Sequence, residues 1–180
     1  MFTDVRSKKV IFVAHCLLNQ NSISDGTAVY PAAFEELICT LMAWGVGIVQ
    51  LPCPELCCLG LDRGDPQGAQ RDVVVENTRI RAAMQEDGPD RRLELLVDYT
   101  MLQIEEYRRH GFRVLGILGA NRSPCCGVET TSQEGREVRG EGVFMEKLHI
   151  RLRKNGWEDI PMTGLKASDD LEEKLAFLLW

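Results

Sequence analysis

Three short, mainly apolar runs constrain the fold of this chain more than any other feature of its sequence. They are Val10 to Val13, Val46 to Leu51 and Val114 to Leu118. A strand with one solvated face alternates apolar and polar residues, whereas a strand covered on both faces is apolar along its length. The three runs therefore predict buried strands of a mostly parallel sheet.

Apolar residues at spacings of three and four predict helices between and after these strands. The helices are 31–44, 91–110, 143–154 and about 169–179. A further short strand is predicted near 160–162. Strands that alternate with helices imply right-handed βαβ crossovers. We therefore expect an α/β fold with three layers and a Rossmann-like topology, formed by residues 1–180 as a single domain.

Two polar segments do not fit this alternation. Residues 60–89 are rich in Gly, Asp, Arg and Gln and contain one weak helical patch at 75–84, and residues 129–141 are polar with two glycines. Connections of this length inside a small domain are often functional loops or lids, which is the interpretation that the sequence favours.

Charge and composition exclude some classes of partner. The net charge of −6 disfavours an extended nucleic-acid surface or an anionic membrane, because both recruit clustered Lys and Arg. The first residues do not resemble a signal peptide, and no apolar run approaches the length of a membrane span. We expect a cytoplasmic protein without a membrane partner. Its seven cysteines then indicate metal or catalytic groups rather than a disulfide framework.

The positions of the cysteines relative to the predicted strands indicate a site. Cys16 follows the first strand, Cys53 the second, and the adjacent Cys125 and Cys126 the third. The carboxyl ends of parallel strands lie at one edge of a sheet, where ligands bind, so these cysteines should meet there. Glu55 would bring a carboxylate to the same edge.

Three converging thiolates are suited to zinc or to an iron–sulfur cluster. The chain lacks the C-x2-C pairs of most structural zinc sites, and adjacent cysteines rarely bind one metal together. If each of the three loops supplies one ligand, one iron of a cubane cluster would be left without a protein ligand. An open coordination position is typical of a catalytic centre.

Four motifs in this order resemble the thiouracil desulfidase family. They are VAHCLLNQNSISDG (13–26), PCPE (52–55), NRSPCCG (121–127) and GEGV (140–143). The resemblance spans most of the chain. The glycine usual after CLL is replaced by Asn19, the tyrosine before Asp-Gly by Ser24, and the tail after Lys154 is not matched. These departures lie near the presumed pocket, so the native substrate stays open.

The resemblance implies a [4Fe-4S] cluster held by Cys16, Cys53 and Cys126, with its fourth iron open for the sulfur of a small thiolated nucleobase. It further implies that Glu55 is the acid–base group and that Ser123 is a hydrogen-bonding or proton-relay group. The implied reaction is hydrolytic and non-redox, and sulfur leaves as sulfide.

Several alternatives stay open at this point. Cys57 or Cys58 could replace Cys53 as a ligand, whereas Cys39 is interpreted as a core residue. Glu55 could instead pair with an arginine such as Arg63, and Ser123 could serve only to form its turn.

A non-catalytic protein that binds or senses an iron–sulfur cluster or zinc is the second functional hypothesis. A thiol-redox protein is the weakest one, since C-x-x-C is absent and vicinal disulfides are strained. The oligomeric state is left open.

Overall fold

A computed structural model describes residues 2–23 and 34–179. Its strands are β1 (Lys9–Val13), β2 (Gly47–Gln50), β3 (Arg113–Ala120), β4 (Thr130–Gln133), β5 (Arg136–Arg139) and β6 (Met162–Leu165). Its helices are α1 (His15–Leu18), α2 (Glu35–Ala43), α3 (Pro54–Leu59), α4 (Val73–Met84), α5 (Asp87–Arg109), α6 (Val143–Lys154) and α7 (Leu171–Leu175). Single 3-10 turns lie at Gly68–Gln70 and Ala176–Leu179.

Four of the strands form one parallel sheet in the order β2-β1-β3-β6. The central strand β1 is buried from Val10 to Val13, as its unbroken apolar run predicts. The strands β4 and β5 pair antiparallel as a separate hairpin. The prediction of an α/β fold with a mostly parallel sheet is confirmed.

The order of the strands places helices on both faces of the sheet. From β1 the chain moves to β2 on one side, and from β2 it passes over β1 to β3 on the other side. Right-handed crossovers in opposite directions put α2 on one face and α5 with α6 on the other, and α5 packs against α6. The direction reverses between β1 and β3, and a reversal of this kind opens a crevice at the carboxyl ends of those strands.

The predicted helix ends agree with the structure where a glycine stops the helix. The helix α6 spans the predicted residues, and Gly156 follows it with a φ of +69°. Gly45 follows α2 in the same way, with a φ of +66°, whereas the predicted start at Pro31 lies outside the described residues. The long helix α5 begins at Asp87, four residues earlier than predicted. Pro89 lies in its first turn, where a missing N–H costs no hydrogen bond.

The two polar segments contain more regular structure than the sequence indicated. The first includes α4, which extends the weak patch to Val73–Met84. The second is the β4–β5 hairpin, which turns at Glu134 and Gly135 with φ values of +53° and +69°. Two positive φ values suit a tight hairpin turn, but Glu-Gly lacks the usual Asn or Asp that announces one.

The C-terminal region differs from its prediction in detail. The strand expected near 160–162 is β6 at Met162–Leu165. The last helix, α7, begins later than predicted and is capped by Asp170, since the Asp170 carboxylate accepts from the amides of Glu172 and Glu173. Within residues 2–23 and 34–179, no helix has the length and apolar character needed to cross a membrane.

Candidate functional site

The three predicted cysteine loops emerge side by side from the carboxyl ends of β1, β2 and β3. The main-chain pairing continues past the strands, since Leu51 donates its N–H to the carbonyl of Val13 and Ala14 donates to that of Leu118, both at 2.8 Å. Cys16 then lies in α1, and Cys53 immediately precedes α3. The end of the first motif, residues 24–26, lies outside the described residues.

Electrostatic coupling among these side chains shows that they lie together. Burial, and after it the negative charges of Glu55 and Cys53, raise the pKa of the Cys16 thiol to about 12. Burial also raises the pKa of Cys126, with further contributions from Cys16, Cys53 and Glu55. The structure therefore brings the three predicted ligands and the predicted carboxylate into one neighbourhood.

Cys53 is the N-cap of the short helix α3. Its Sγ accepts from the Leu56 amide at 3.5 Å, and Pro54 occupies the first helical position, where no amide is needed. Burial raises the pKa of the Cys53 thiol to about 11, although the Leu56 bond opposes this rise. The PCPE sequence therefore caps and begins a helix at the site. The last residue of this sequence, Glu55, is buried.

The loop that carries Cys126 is organised around Ser123. The Ser123 Oγ accepts from the Cys126 amide at 2.9 Å and from the Cys125 amide at 3.2 Å. Gly127 follows in a position that admits no side chain, because a Cβ there would lie 2.1 Å from the Thr130 carbonyl oxygen. Ser123 therefore stabilises this turn, which is one of the two roles proposed for it from the sequence. Its hydroxyl oxygen accepts both hydrogen bonds, so the hydroxyl hydrogen can still be donated to another group.

The GEGV motif holds this loop against α6. Gly142 lies against the Cys125 backbone, where a Cβ would be 2.4 Å from the Cys125 carbonyl carbon. The Cys125 carbonyl in turn accepts from the amides of Phe144 and Met145 at 3.1 and 3.2 Å, in the first turn of α6. The third and fourth motifs therefore contact each other directly, although 13 positions separate Gly127 from Gly140.

Two further residues, neither of which was assigned a role from the sequence, fix the same loop. Arg81 of α4 donates through Nη1 to the Glu141 carbonyl at 2.9 Å, to Thr131 Oγ1 at 3.2 Å and to the Pro124 carbonyl at 3.5 Å. Asn121 accepts at Oδ1 from three successive amides, those of residues 128–130. Asn121 belongs to a quoted motif, but nothing in the sequence distinguishes Arg81 from the other basic residues.

The remaining cysteines divide into buried and exposed pairs. Cys58 and Cys125 are buried, whereas Cys57 and Cys39 are exposed. The prediction that Cys39 packs in the core is wrong, because the buried face of α2 is formed by other residues, such as Leu37 and Leu41.

Glu55 is buried and forms an ion pair with Arg63, as the alternative interpretation of this residue stated. Arg63 Nη1 lies 3.4 Å from Glu55 Oε2, and both side chains are less than a tenth exposed. Burial raises the pKa of Glu55, and the charge and hydrogen bond of Arg63 oppose that rise. A carboxylate in this setting is held in one orientation beside the thiols.

A second buried carboxylate, that of Glu76, is linked to Arg63 through Arg79. Arg79 donates through Nη2 to the Arg63 carbonyl at 3.0 Å and to Glu76 Oε1 at 2.6 Å. Arg71 donates to Glu76 Oε2 at 2.8 Å. Arg63 itself has a φ of +54°, which non-glycine residues rarely adopt, so the conformation depends on these contacts.

Replacement of Glu76 by Gln is expected to lower the free energy of unfolding by roughly 1–3 kcal/mol at neutral pH, since two arginines lose a charged acceptor. The Arg79 hydrogen bonds, above all other influences, hold the pKa of Glu76 below its usual 4.5. A carboxyl group of this kind stabilises the fold above its unfolded pKa and loses that effect as the pH falls below about 4.5. Urea unfolding at several pH values should show the difference between wild type and Glu76→Gln shrinking in acid. A difference that stays constant would contradict the assignment.

A cavity of about 320 Å³ opens beside Cys16 at this edge of the sheet. Its walls come from α1, the N-cap residue of α2, the loop after β3, and the segment after β6. The lining residues include Cys16, Phe34, Asn121, Arg122, Lys166 and Ser168. The volume lies at the small end of the roughly 300–1,000 Å³ typical of small-molecule pockets. The sequence did not assign residues 165–168 to the site, because only the position of β6 in the sheet brings them there.

The donor set is suited to a polynuclear centre. Among the residues that the structure describes, no three His, Cys, Asp or Glu side chains are arranged around a single ion. Each cysteine of a cubane cluster binds a different iron, so its ligands lie farther apart than those of one ion. Buried thiols whose raised pKa values come from burial and acidic neighbours become thiolates when a positive centre binds them. Thiolate sulfur is the ligand that iron–sulfur clusters require, and Cys16, Cys53 and Cys126 supply this chemistry.

Comparisons with known proteins give two remote similarities. No family model matches the chain. An uncharacterized protein of Methanocaldococcus jannaschii is 26% identical over 150 residues, which cover 83% of this chain and 81% of that protein. Among solved structures, the [4Fe-4S]-dependent thiouracil desulfidase TudS is similar over 96% of this chain and 99% of its own, with 21% identity and a TM-score of 0.44.

Proposed function

We propose that this protein is a [4Fe-4S]-dependent desulfidase that hydrolytically removes sulfur from a thiolated nucleobase such as thiouracil. The observation that carries the proposal is the convergence of Cys16, Cys53 and Cys126 with the buried Glu55 at the carboxyl ends of three neighbouring strands. The order of the four sequence motifs supports the same conclusion independently of the geometry.

The three cysteines would hold the cluster. Such a cluster, bound by three thiolates, supplies one iron without a protein ligand as a soft Lewis acid that polarises a thiocarbonyl sulfur. The cysteines come from three separate loops, which the parallel ladder and the hydrogen bonds of Ser123 keep in place. Water would be excluded from the buried side of the site by the apolar core beneath Cys126.

Glu55 would move the proton in this reaction. Water adds at the thiocarbonyl carbon while its proton passes to the Glu55 carboxylate, and the carbon–sulfur bond then breaks as the sulfur accepts a proton. The net change is thiocarbonyl plus water to carbonyl plus hydrogen sulfide, without oxidation or reduction. Arg63 holds the Glu55 carboxylate at Oε2, so the other oxygen, Oε1, is the one assigned to the proton.

Ser123 would assist through its remaining hydroxyl hydrogen, since the hydroxyl oxygen accepts from two amides. The cavity beside Cys16 would receive the substrate ring, and its modest volume favours a single small heterocycle over a polymer. A free base or nucleoside therefore suits the site better than a base within folded RNA.

The proposal is tested by sulfide release from a panel of thiouracils. The protein is purified and reconstituted without oxygen, its iron and absorption near about 400 nm are recorded, and sulfide and the oxo product are then quantified. Equimolar sulfide and oxo product from a cluster-loaded protein would support the proposal. A loaded protein that releases no sulfide from any member of the panel would instead support the alternative of a binding or sensing protein.

A further inference from the structure

The long helix α5 has a second apolar stripe that faces away from the core. Its inner face is formed by Leu93, Val97, Met101 and Ile104, among others, which are buried or nearly so. On the outer side, Leu95, Tyr99 and Leu102 are 66%, 56% and 55% exposed. Spacings of four and three place these three side chains on one face of the helix. Single exposed apolar residues are ordinary, but three in a row on one helix form a patch.

A charged residue flanks the stripe at each end, with opposite signs. Arg91 lies four residues before Leu95, and Glu106 lies four residues after Leu102, so both extend the same face. Both side chains are exposed, and Glu106 also forms an ion pair within its own chain with the exposed Arg109, at 3.2 Å, and lies 3.6 Å from His110. The midpoint of the stripe falls between Asp98 and Tyr99. A 180° rotation about an axis that passes through this midpoint and is perpendicular to α5 exchanges the position of Leu95 with that of Leu102, and the position of Arg91 with that of Glu106.

We infer that this stripe is the interface of a homodimer in which α5 packs against α5 of a second copy in antiparallel orientation. A two-fold axis near Tyr99 places each Leu95 on the partner's Leu102, and each Arg91 beside the partner's Glu106. The pattern of apolar and charged residues is thus self-complementary, which is the requirement that a two-fold interface imposes.

The acidic side chains beside the stripe are neutralised within one chain, which removes a source of repulsion between copies. Lys147 of α6 lies 2.5 Å from Glu94 and 3.1 Å from Asp90. Arg151 of α6 contacts both Asp98 and Glu94. In a protein with a net charge of −6, pairing of this row by α6 allows two α5 helices to approach.

A groove beside Leu102 provides the concave part of this interface. It has a volume of about 480 Å³ and is lined mainly by rings and apolar side chains, including those of Phe2, Leu102, Tyr107 and Phe112. Phe2 is held there by edge contact with Phe112 and by Arg6, whose guanidinium lies 4.0 Å from the ring centroid. In the antiparallel pair the groove receives Leu95 of the second copy, since Leu95 faces Leu102.

The test is the mass of the protein in solution, measured by sedimentation or light scattering at about 100 µM, where a Kd of about 1 µM gives mostly dimer. The wild-type chain should show twice its mass of 20.3 kDa. The double variant Leu95→Glu/Leu102→Glu should show one chain mass with an unchanged circular dichroism spectrum, because neither residue belongs to the core. Met42→Glu is the matched control, since Met42 is 67% exposed on α2, and it should stay dimeric.

Reversal of the flanking charges tests the antiparallel register. Arg91→Glu alone and Glu106→Arg alone should each raise the dimer dissociation constant by about tenfold or more, and the combined variant should recover most of this loss. A monomeric wild-type protein would overturn the inference. So would a dimer that survives Leu95→Glu/Leu102→Glu, or single charge variants whose combination gives no recovery.

Discussion

Replacement of Cys16, Cys53 or Cys126 by Ser is expected to reduce the iron bound after anaerobic reconstitution from about four per chain to less than about one. Each residue supplies one of the three protein ligands from a different loop, so its replacement leaves only two thiolates to hold the cluster. The loss should be accompanied by disappearance of the broad absorption near about 400 nm. Circular dichroism of the protein before reconstitution should match wild type, because Ser is close to Cys in size.

Cys39→Ser and Cys57→Ser are the matched controls for this experiment. Both cysteines are exposed, and their replacement should leave the iron content unchanged. Cys125→Ser tests the neighbouring thiol of the same loop and should likewise retain the cluster. Loss of iron from Cys57→Ser together with full retention in Cys53→Ser would show that α3 supplies its ligand from its second turn, contrary to the assignment.

Replacement of Glu55 by Gln is expected to lower sulfide release by about 10²- to 10⁴-fold while the cluster spectrum and iron content stay unchanged. Gln keeps an oxygen that can accept from Arg63 but has neither a charge nor a transferable proton. The effect should therefore appear in turnover rather than in the stability of the fold. Single-turnover sulfide measurements on protein of matched iron content distinguish an effect on turnover from an effect on stability.

Glu76→Gln is the control for this second prediction. Glu76 is a buried carboxylate in the same arginine network, but it contacts Arg71 and Arg79 instead of the thiols. Its replacement should reduce stability and, at temperatures where the variant is folded, lower turnover far less than Glu55→Gln does, because the Glu55 carboxylate itself is kept. Near-normal sulfide release by cluster-loaded Glu55→Gln would show that another group carries the proton.

The parts of the fold that follow from local pattern were predicted from the sequence. The run Val10–Val13 is apolar because both faces of β1 are covered, and the cysteine loops follow their strands at short distances, so the site could be placed at one sheet edge. The hairpin of β4 and β5 could not be predicted, because its residues are polar and its stability depends on distant α4. Asn77 of α4 donates to Ser132 Oγ at 3.3 Å, and Arg81 donates to Thr131.

In the candidate site too, the features that follow from local sequence were predicted, and those that depend on distant contacts were not. The sequence indicated a carboxylate beside Cys53 and named Arg63 as a possible partner of Glu55, and the ion pair is present. It could not indicate that Arg63 is held by Arg79 in a left-handed backbone conformation. That conformation depends on a contact 16 positions away along the chain, and no local preference announces it.

The carboxylate of Glu129 covers part of the exposed edge of the parallel sheet. The strand β6 is at one edge of the sheet, and exposed edge amides can recruit a strand from another chain. Both oxygens of Glu129 accept from the Gly164 amide of β6 at 3.1 Å, and Asn121 donates to the same carboxylate at 2.5 Å. Asn121, which orders the Cys126 loop, thereby also holds the charged Glu129 side chain in place at this edge. A charge at this position makes the edge a poor template for β-pairing with another chain.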